Sequence, residues 1–310
     1  MRVLVMGTGG VGGYYGAMLA NAGHDVVFVA RGRGLEAIQQ NGLELRTQGQ
    51  TIAIKPAKAV GDPVEAGGDV DLALFTVKTY DTESAARALN PAVGPNTAVL
   101  TLQNGIDSVD ILSRVLGAEH VLAGVTLIAA AVVEPGVVQE NGFSRKITFG
   151  EPNGPASERV RRFAAAMTEA GLDVDASDDA RQAIWDKFVL LAPHASVSAL
   201  CQTPIGVTRE TPEAMELYRT LIAEVKAVGV RSGLTFAPDI ADRIVGNFMT
   251  APPGQTSSMQ RDYAAERRVE LEYVTGTVVR RARELGVPVP SFEALYAILK
   301  VRARQFGGID

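Results

Sequence analysis

The chain is poor in cysteine and histidine and has no long apolar run. Cys201 is its only cysteine, which excludes an internal disulfide and a cysteine-ligated metal cluster. The longest uncharged apolar run, residues 121–133, falls short of the roughly 20 residues that a membrane-spanning helix needs. We therefore expect no metal centre and no membrane span, and we expect the protein to act in the cytoplasm.

Concentrated positive charge is also absent. The net charge is −5, and the pairs Arg267-Arg268 and Arg280-Arg281 lie in helical patterns with glutamates nearby. Such arginines are typical of solvated helix faces, whereas a nucleic-acid or acidic-membrane surface needs a concentrated basic patch. The composition excludes those partner classes, and a length of 310 residues favours two domains.

The first half of the chain alternates between strand-like and helix-like segments. The strand-like segments are short apolar runs separated by helical stretches, at residues 2–7, 24–30, 71–77 and 97–102. Runs that are apolar on both faces predict a parallel sheet with helices on both sides. An alternating pattern around a glycine turn at residues 43–55 predicts an antiparallel hairpin.

From Asp178 onward the pattern is almost entirely helical. Apolar residues recur with the 3.6-residue period in five segments, at residues 179–200, 209–233, 236–249, 257–285 and 290–306. This predicts an all-α second domain over residues 178–310. The domain leaves a homodimer open, although no segment indicates an interface.

A glycine-rich loop directly follows the first predicted strand. It contains the pattern G-x-G-x-x-G between a strand and a helix, which is the context the motif requires. Its first glycine permits a tight turn, its second lets a pyrophosphate approach the backbone, and its third allows close helix–strand packing. We therefore predict a Rossmann-type dinucleotide site at Gly7, Gly9, Gly10, Val11 and Gly12.

The end of the second strand favours NADP over NAD. NAD sites usually place Asp or Glu about 20 residues past the glycines, where it binds the ribose 2′-hydroxyl. Arg31 occupies that place and Arg33 follows, whereas Asp25 lies at the start of the strand. A guanidinium suits a 2′-phosphate. Residues 1–177 are therefore predicted to form an NADP(H)-binding domain.

Polar residues also follow two further strands of the predicted sheet. Lys78 comes after the third run and Asn104 after the fourth. Ligands of open parallel sheets bind beyond the carboxyl ends of the strands. We therefore expect Lys78 and Asn104 to share a ligand-binding edge with the glycine loop and Arg31.

Lys187 lies in the apolar stretch IWDKFVLL. A nicotinamide cofactor transfers hydride, so a ketone reductase needs a separate group that protonates the substrate oxygen. Apolar neighbours disfavour the charged form of a lysine and bring its pKa toward working pH. None of His24, His120 and His194 has an evident partner in the sequence. We predict that Lys187 is the general acid; a lysine whose head group merely reaches solvent is the alternative.

The segment TSSMQRD predicts the start of a further helix of the site. Ser257 is expected to be its N-cap, with Gln260 three residues on. Ser258 then lies in the first turn, where free N–H groups attract a carboxylate. The helix is expected to continue with acidic residues at four-residue spacing on one face, ending with Glu270 as a candidate partner for Lys187.

Taken together, these segments resemble the ketopantoate reductases (2-dehydropantoate 2-reductases) over essentially the full length of the chain. The matching pieces share the order and spacing of that family: GTGGVGGYYG, VAR, FTVKTYDT, LQNGID, GVT, IWDKF, SSMQRD and VELEYVTGTVVRRARELGVPVP. The resemblance implies NADPH-dependent reduction of a 2-keto acid to a 2-hydroxy acid. The leading expectation is reduction of ketopantoate to pantoate in pantothenate and coenzyme A biosynthesis.

The resemblance also implies roles for individual residues. It implies that Lys187 is the general acid and that Glu270 is its acidic partner near the cofactor. Ser258 is implied to hold the substrate carboxylate, and Asn104 to orient the substrate beside the nicotinamide. It further implies cofactor contacts for two cationic side chains, Lys78 and Arg31.

One departure from the family concerns the substrate. The family usually has asparagines one and two helical turns beyond the lysine, where this chain has Leu191 and Ala195. Neither side chain can hydrogen-bond a substrate hydroxyl. A more apolar 2-keto acid therefore fits at least as well as ketopantoate. A sensor that binds NADPH without turnover is a further alternative, against which Lys187 and Glu270 argue.

Overall fold

The computed structural model describes residues 1–142 and 144–309, which form two compact units. The first unit comprises residues 1–103 and 108–183; the second comprises residues 104–107 and the chain from Ile184 onward. The first is an α/β unit and the second is helical, which confirms the predicted fold class. The assignment of NADP(H) binding to residues 1–177, and of substrate binding and catalysis to residues 178–310, stays a prediction.

All strands of the described residues belong to the first unit. They are β1 (Arg2–Met6), β2 (Asp25–Val29), β3 (Leu43–Thr47), β4 (Gln50–Ile54), β5 (Lys58–Val60), β6 (Leu72–Phe75), β7 (Ala98–Thr101), β8 (Val121–Thr126), β9 (Ala130–Glu134), β10 (Val137–Glu140), β11 (Ile147–Gly150) and β12 (Val174–Ala176). The helices of this unit are α1 (Gly10–Asn21), α2 (Gly32–Asn41), α3 (Thr82–Leu89), α4 (Ser108–Leu116) and α5 (Glu158–Glu169).

The larger sheet has the strand order β12-β11-β8-β7-β6-β1-β2-β5 and is parallel except between β8 and β11. Chain order runs outward from β1 in two directions, through β2 on one side and through β6, β7 and β8 on the other. Open α/β sheets bind ligands beyond the carboxyl ends of their strands at such a switch point. The loops that follow β1 and β6 meet there.

Both faces of this sheet are covered. Successive side chains of a strand point to opposite faces. Val3 and Val5 of β1 therefore pack into one core with α1 and α5, and Leu4 and Met6 pack into another with α3 and α4. This confirms the predicted helices on both sides of the sheet.

The hairpin predicted at residues 43–55 is present but belongs to a second sheet. β3 pairs antiparallel with β4 around Gln48 and Gly49, which have φ values of +50° and +73°. The four strands β4, β3, β10 and β9 are hydrogen-bonded in that order. The sequence pattern predicted the hairpin, but not its separation from the large sheet.

The remaining helices build the second unit. They are α6 (Ala180–Cys201), α7 (Ile205–Arg209), α8 (Pro212–Arg231), α9 (Ile240–Thr250), α10 (Ser258–Ala264), α11 (Thr275–Leu285) and α12 (Pro290–Gln305). The first residues of α6 cluster with the α/β unit. The helices enclose a core whose large buried side chains include Phe188, Tyr218, Tyr263 and Phe292.

The single helix predicted over residues 257–285 is wrong. α10 ends at Ala264, and Glu266 adopts a left-handed φ of +49°. The N–H of Arg267 bonds the carbonyl of Asp262, and the N–H of Glu266 bonds that of Tyr263, which is a Schellman ending. The helix resumes only at α11, so the acidic residues do not share one helix face.

No helix within residues 1–142 and 144–309 is long and apolar enough to cross a membrane. No group of three or more His, Cys, Asp or Glu side chains there is placed to hold a metal ion. The cytoplasmic location and the homodimer stay predictions.

The buried Glu224 of α8 caps a helix distant in sequence, and its loss is predicted to destabilise the second unit. Its carboxylate accepts the N–H groups of Ser291 and Phe292, each at 3.0 Å, in the first turn of α12. Glu224→Ala should lower the free energy of unfolding by about 2 kcal/mol in urea denaturation, because buried donors lose a charged acceptor. Glu216→Ala, at an exposed position of α8, is the control; equal losses would contradict the capping role.

Candidate active site

Two glycines shape the loop after β1. Gly7 has a φ of +102°, and a Cβ at this position would lie 2.8 Å from the backbone nitrogen of Val77. A Cβ on Gly12 would overlap the Gly7 carbonyl and the Thr76 hydroxyl. That hydroxyl donates to the Gly7 carbonyl at 2.8 Å, which ties the loop to the end of β6. Side chains are therefore excluded at Gly7 and Gly12 by close packing.

Gly9 differs from its neighbours because it is open. No described atom lies within 4 Å of a Cβ built on Gly9, the N-cap of α1. Gly10 instead packs on β9, where a Cβ would overlap the Ala130 carbonyl, and Val11 is partly buried against the core. A loop that is tight on its protein side and open at Gly9 fits a pyrophosphate at the N-terminus of α1.

The predicted cationic contacts lie beyond β2 and β6. Arg31 precedes α2 and is 69% exposed, with its Nη1 3.9 Å from the Asp81 carboxylate. Lys78 precedes the 3-10 turn Thr79–Asp81. The ion pair therefore brings the end of β2 to the turn that follows β6, and the exposed guanidinium is placed to meet an anion at this edge.

Asn104 clusters with the helical unit rather than with the strand it follows. The preceding residue, Gln103, stays with the sheet: its Nε2 donates to the Val77 carbonyl and to the Thr82 hydroxyl, both at 2.9 Å. The chain therefore passes from one unit to the other between Gln103 and Asn104. The glycine loop, Arg31 and Lys78 therefore belong to the α/β unit, whereas Asn104 belongs to the helical unit. The expected common edge of all four stays a prediction.

Lys187 lies on α6, and its neighbours in sequence Trp185, Phe188 and Val189 are buried in the helical core. The residue as a whole is only partly buried, but protein atoms surround its ammonium group. Its Nζ donates to Oδ1 of Asn104 at 2.9 Å. Burial lowers the pKa of Lys187 from 10.5 to about 8, and the negative charge of Glu270 acts in the opposite direction. Such a lysine is protonated at neutral pH and gives up its proton readily.

Glu270 reaches this cluster from the irregular segment between α10 and α11. It is 6% exposed, and its carbonyl accepts the N–H groups of Tyr273 and Val274, each at 3.1 Å. The helical unit therefore brings together three predicted site residues, Lys187, Asn104 and Glu270. A proton donor, a neutral acceptor and a carboxylate are sufficient for general acid catalysis at a carbonyl oxygen.

The histidines are engaged elsewhere. Burial lowers the pKa of His194 to about 4, and its ring packs edge-on against Phe248 at 5.8 Å, so it is neutral at physiological pH. His24 Nδ1 lies 3.2 Å from the terminal amino group, and His120 Nδ1 lies 2.9 Å from the Thr97 carbonyl. A neutral buried ring and two locally bonded rings leave Lys187 as the better proton donor.

Ser257 is the N-cap of α10, as predicted. Its Oγ accepts the N–H of Gln260 at 3.0 Å and lies 2.6 Å from the Ser198 hydroxyl of α6. The Gln260 side chain does not complete a capping box with Ser257, because its Nε2 donates to the Thr203 carbonyl at 3.2 Å. Ser258 is the first residue of α10 and is partly exposed. Its contact with a substrate carboxylate stays a prediction.

Leu191 and Ala195 follow Lys187 on α6 but differ in exposure. Leu191 is partly exposed, whereas Ala195 is 3% exposed and belongs to the helical core. In this structure Leu191 therefore has more surface to offer a ligand. Contacts of both residues with substrate stay predictions.

Sequence reasoning missed the contacts that tie the turn at residues 104–107 to α11. Asp107 accepts a hydrogen bond from the Thr277 hydroxyl at 2.5 Å and another from Arg281 Nη2 at 3.1 Å. The motif LQNGID contains this aspartate, but a carboxylate in a turn has many local partners. Its true partners lie on α11, 170 and 174 residues away, so no local spacing could identify them.

Two family models match the chain. The model described as "Ketopantoate reductase PanE/ApbA" matches residues 3–154, and the one described as "Ketopantoate reductase PanE/ApbA C terminal" matches residues 179–303. Together they cover most of both units described above.

Individual relatives match nearly end to end. A 2-dehydropantoate 2-reductase of Halobacterium salinarum is 31% identical over 306 residues, which is 98% of this chain and 99% of that protein. The crystal structure of a PanE/ApbA family ketopantoate reductase from Ralstonia eutropha is 35% identical, with a TM-score of 0.92 over 99% of this chain and 100% of that one. A D-mandelate dehydrogenase solved with NADH and anilino(oxo)acetate shares the fold, with a TM-score of 0.91 at 21% identity over 99% of this chain and 100% of that one.

The glycine loop generates a paired prediction. Gly12→Ala should destabilise the protein by about 1–3 kcal/mol, because a methyl group has no room beside Gly7 and Thr76. Gly9→Ala should fold like the wild type, since its φ of −88° suits alanine and its Cβ meets no described atom. It should nevertheless weaken binding of the nicotinamide cofactor, measured by fluorescence titration with NADPH, about tenfold or more, because the glycine motif predicts that a phosphate approaches the backbone there. Unchanged NADPH affinity in Gly9→Ala would contradict the assignment of the loop.

Proposed function

This chain belongs to the ketopantoate reductase PanE/ApbA family, and on that premise we propose that it reduces a 2-keto acid to a 2-hydroxy acid with NADPH. The leading substrate is 2-dehydropantoate, which the name of the Halobacterium salinarum relative specifies for that protein. The observation that carries the proposal is the Lys187 ammonium group, bonded to Asn104 beside the buried Glu270.

The cofactor side of the proposal rests on the α/β unit, residues 1–177 in our assignment. A bound nicotinamide dinucleotide supplies the hydride. The backbone around Gly9 would hold its pyrophosphate, since that position is open and begins α1. Arg31 and Lys78 would meet its phosphates, and the exposed guanidinium of Arg31 is the reason for proposing NADP rather than NAD.

The proton side rests on the helical unit, residues 178–310 in our assignment, together with Asn104. Lys187 holds the proton that the substrate oxygen takes up as negative charge develops on it. Asn104 accepts from the same ammonium group and so fixes its direction. Glu270 favours the protonated lysine, which keeps the acid charged at neutral pH. Ser258 would bind the substrate carboxylate.

A second substrate class is favoured by Leu191. This residue follows Lys187 by one helical turn and remains partly exposed. An apolar side chain beside the proton donor suits a branched or aromatic 2-keto acid without a hydroxyl group. Leu191 cannot hydrogen-bond the hydroxyl group of ketopantoate, and a branched or aromatic 2-keto acid without a hydroxyl group does not need that bond. Discrimination between the two substrate classes therefore depends on this hydrogen bond.

The proposal is tested by following NADPH and NADH absorbance with ketopantoate, 2-ketoisovalerate, 2-ketoisocaproate and phenylpyruvate. We expect NADPH-dependent turnover of at least one of them. Lys187→Ala should lower kcat about 10²- to 10⁴-fold, because the general acid is lost. Lys226→Ala, on α8, is the control and should behave like the wild type.

Two further arms make the outcome specific. The preference for NADPH over NADH should shrink in Arg31→Ala if the guanidinium binds the 2′-phosphate. Tight NADPH binding without turnover of any keto acid would contradict the enzyme and support a sensor. Full activity of Lys187→Ala would show that Lys187 is not the proton donor.

A further inference from the structure

Asn104 lies on an irregular segment, so its position depends on tertiary contacts. It follows β7 and precedes α4, and neither element includes it. The next residue, Gly105, has a φ of +89°, and a Cβ there would lie 2.7 Å from the Tyr273 carbonyl. The turn is therefore packed closely against the segment that leads into α11.

A single carboxylate fastens this turn to α11. Asp107 accepts from the Thr277 hydroxyl at 2.5 Å and from Arg281 Nη2 at 3.1 Å, and Arg280 Nη2 lies 3.6 Å away. Thr277 is fully buried and lies in the first turn of α11, where the helix dipole favours negative charge. Two hydrogen bonds and a second cation hold the Asp107 side chain in one orientation.

The segment that carries Glu270 is tied to the same first turn of α11. Arg280 Nη2 donates to the Glu272 carbonyl at 2.6 Å and to the Thr277 hydroxyl at 2.8 Å. The Glu270 carbonyl in turn accepts from Tyr273, one residue beyond Glu272. Both groups that act on Lys187 are thus anchored on one framework of Asp107, Thr277 and Arg280.

We propose that Asp107 is a positioning residue for the proton donor: its carboxylate, bound by Thr277 and Arg281, holds Asn104 so that Asn104 Oδ1 accepts from the Lys187 ammonium group. Asp107 itself contacts no reacting atom in this account. The effect of Asp107 on turnover rests on the proposed function, whereas its effect on the pKa of Lys187 does not. Turnover and the Lys187 pKa are therefore measured separately.

The direction of the effect on Lys187 follows from hydrogen-bond chemistry. A carbonyl oxygen that accepts from an ammonium group favours the charged form and raises its pKa. Displacing Asn104 therefore lowers the pKa of Lys187 further below about 8, while the carboxylate of Glu270 continues to raise it. If Asp107 acts only through Asn104, removing both side chains changes the pKa no more than removing Asn104 alone.

The test is an NMR titration of the lysine side chains in the ligand-free protein, with the Lys187 signal assigned from Lys187→Arg. We expect Asn104→Ala and Asp107→Ala each to lower the Lys187 midpoint, and the double variant to lower it no further. In turnover assays Asp107→Ala should lower kcat about 10- to 100-fold with an unchanged KM for NADPH. Asp107→Asn keeps an acceptor for Thr277 and should recover part of both effects.

Asp242→Ala is the matched control, because its side chain on α9 is 84% exposed and its Arg219 contact is 3.8 Å long. Wild-type midpoint and kcat in Asp107→Ala, or a shift that adds to that of Asn104→Ala, would overturn the proposal. If Asp107→Ala does not fold, the Lys187 titration midpoints of Thr277→Val and Asp107→Asn test the positioning role of Asp107 instead. If the wild type reduces no keto acid, the proposed function fails while the titration still decides the role of Asp107.

Discussion

The hydrogen bond from Lys187 to Asn104 is the contact on which the rest of the site depends. The buried ammonium group of Lys187 loses hydration, and burial alone pushes a lysine toward its neutral form. A neutral lysine could not protonate a substrate oxygen. The charge of Glu270 offsets part of that loss, so the pKa stops at about 8, and the Asn104 oxygen accepts a hydrogen bond from the same ammonium group at 2.9 Å. Burial makes the proton of Lys187 easier to release, whereas Asn104 and Glu270 favour the protonated form of the lysine.

This balance explains the layout of the helical unit. α6 carries the lysine, but its partners come from two segments outside the α-helices, the turn at residues 104–107 and the stretch between α10 and α11. The Schellman ending at Glu266 is what frees Glu270 from a helix and lets it become buried. A continuous helix, as the apolar periodicity predicted, would have kept Glu270 in a row of acidic residues.

The sequence predicted local features well and long-range contacts poorly. The glycine loop, the covered parallel sheet, the hairpin at residues 43–55 and the cap at Ser257 follow from patterns a few residues long, and the structure contains each of them. The bond between Lys187 and Asn104 joins residues 83 positions apart, and the anchor of Asp107 lies farther still. Such contacts arise only when helices pack, so single-sequence periodicity carries no signal for them.

The most direct test of this account is the pH dependence of kcat/KM in both directions of the reaction. Keto-acid reduction needs the protonated lysine, so its kcat/KM should fall with one proton as pH rises through about 8, and oxidation of the 2-hydroxy acid should rise through the same pH. Lys187→Arg, which stays charged, should lose this transition. A rate that is independent of pH between roughly 7 and 10, or a Lys187→Arg profile identical to the wild type, would contradict the role of Lys187 as proton donor.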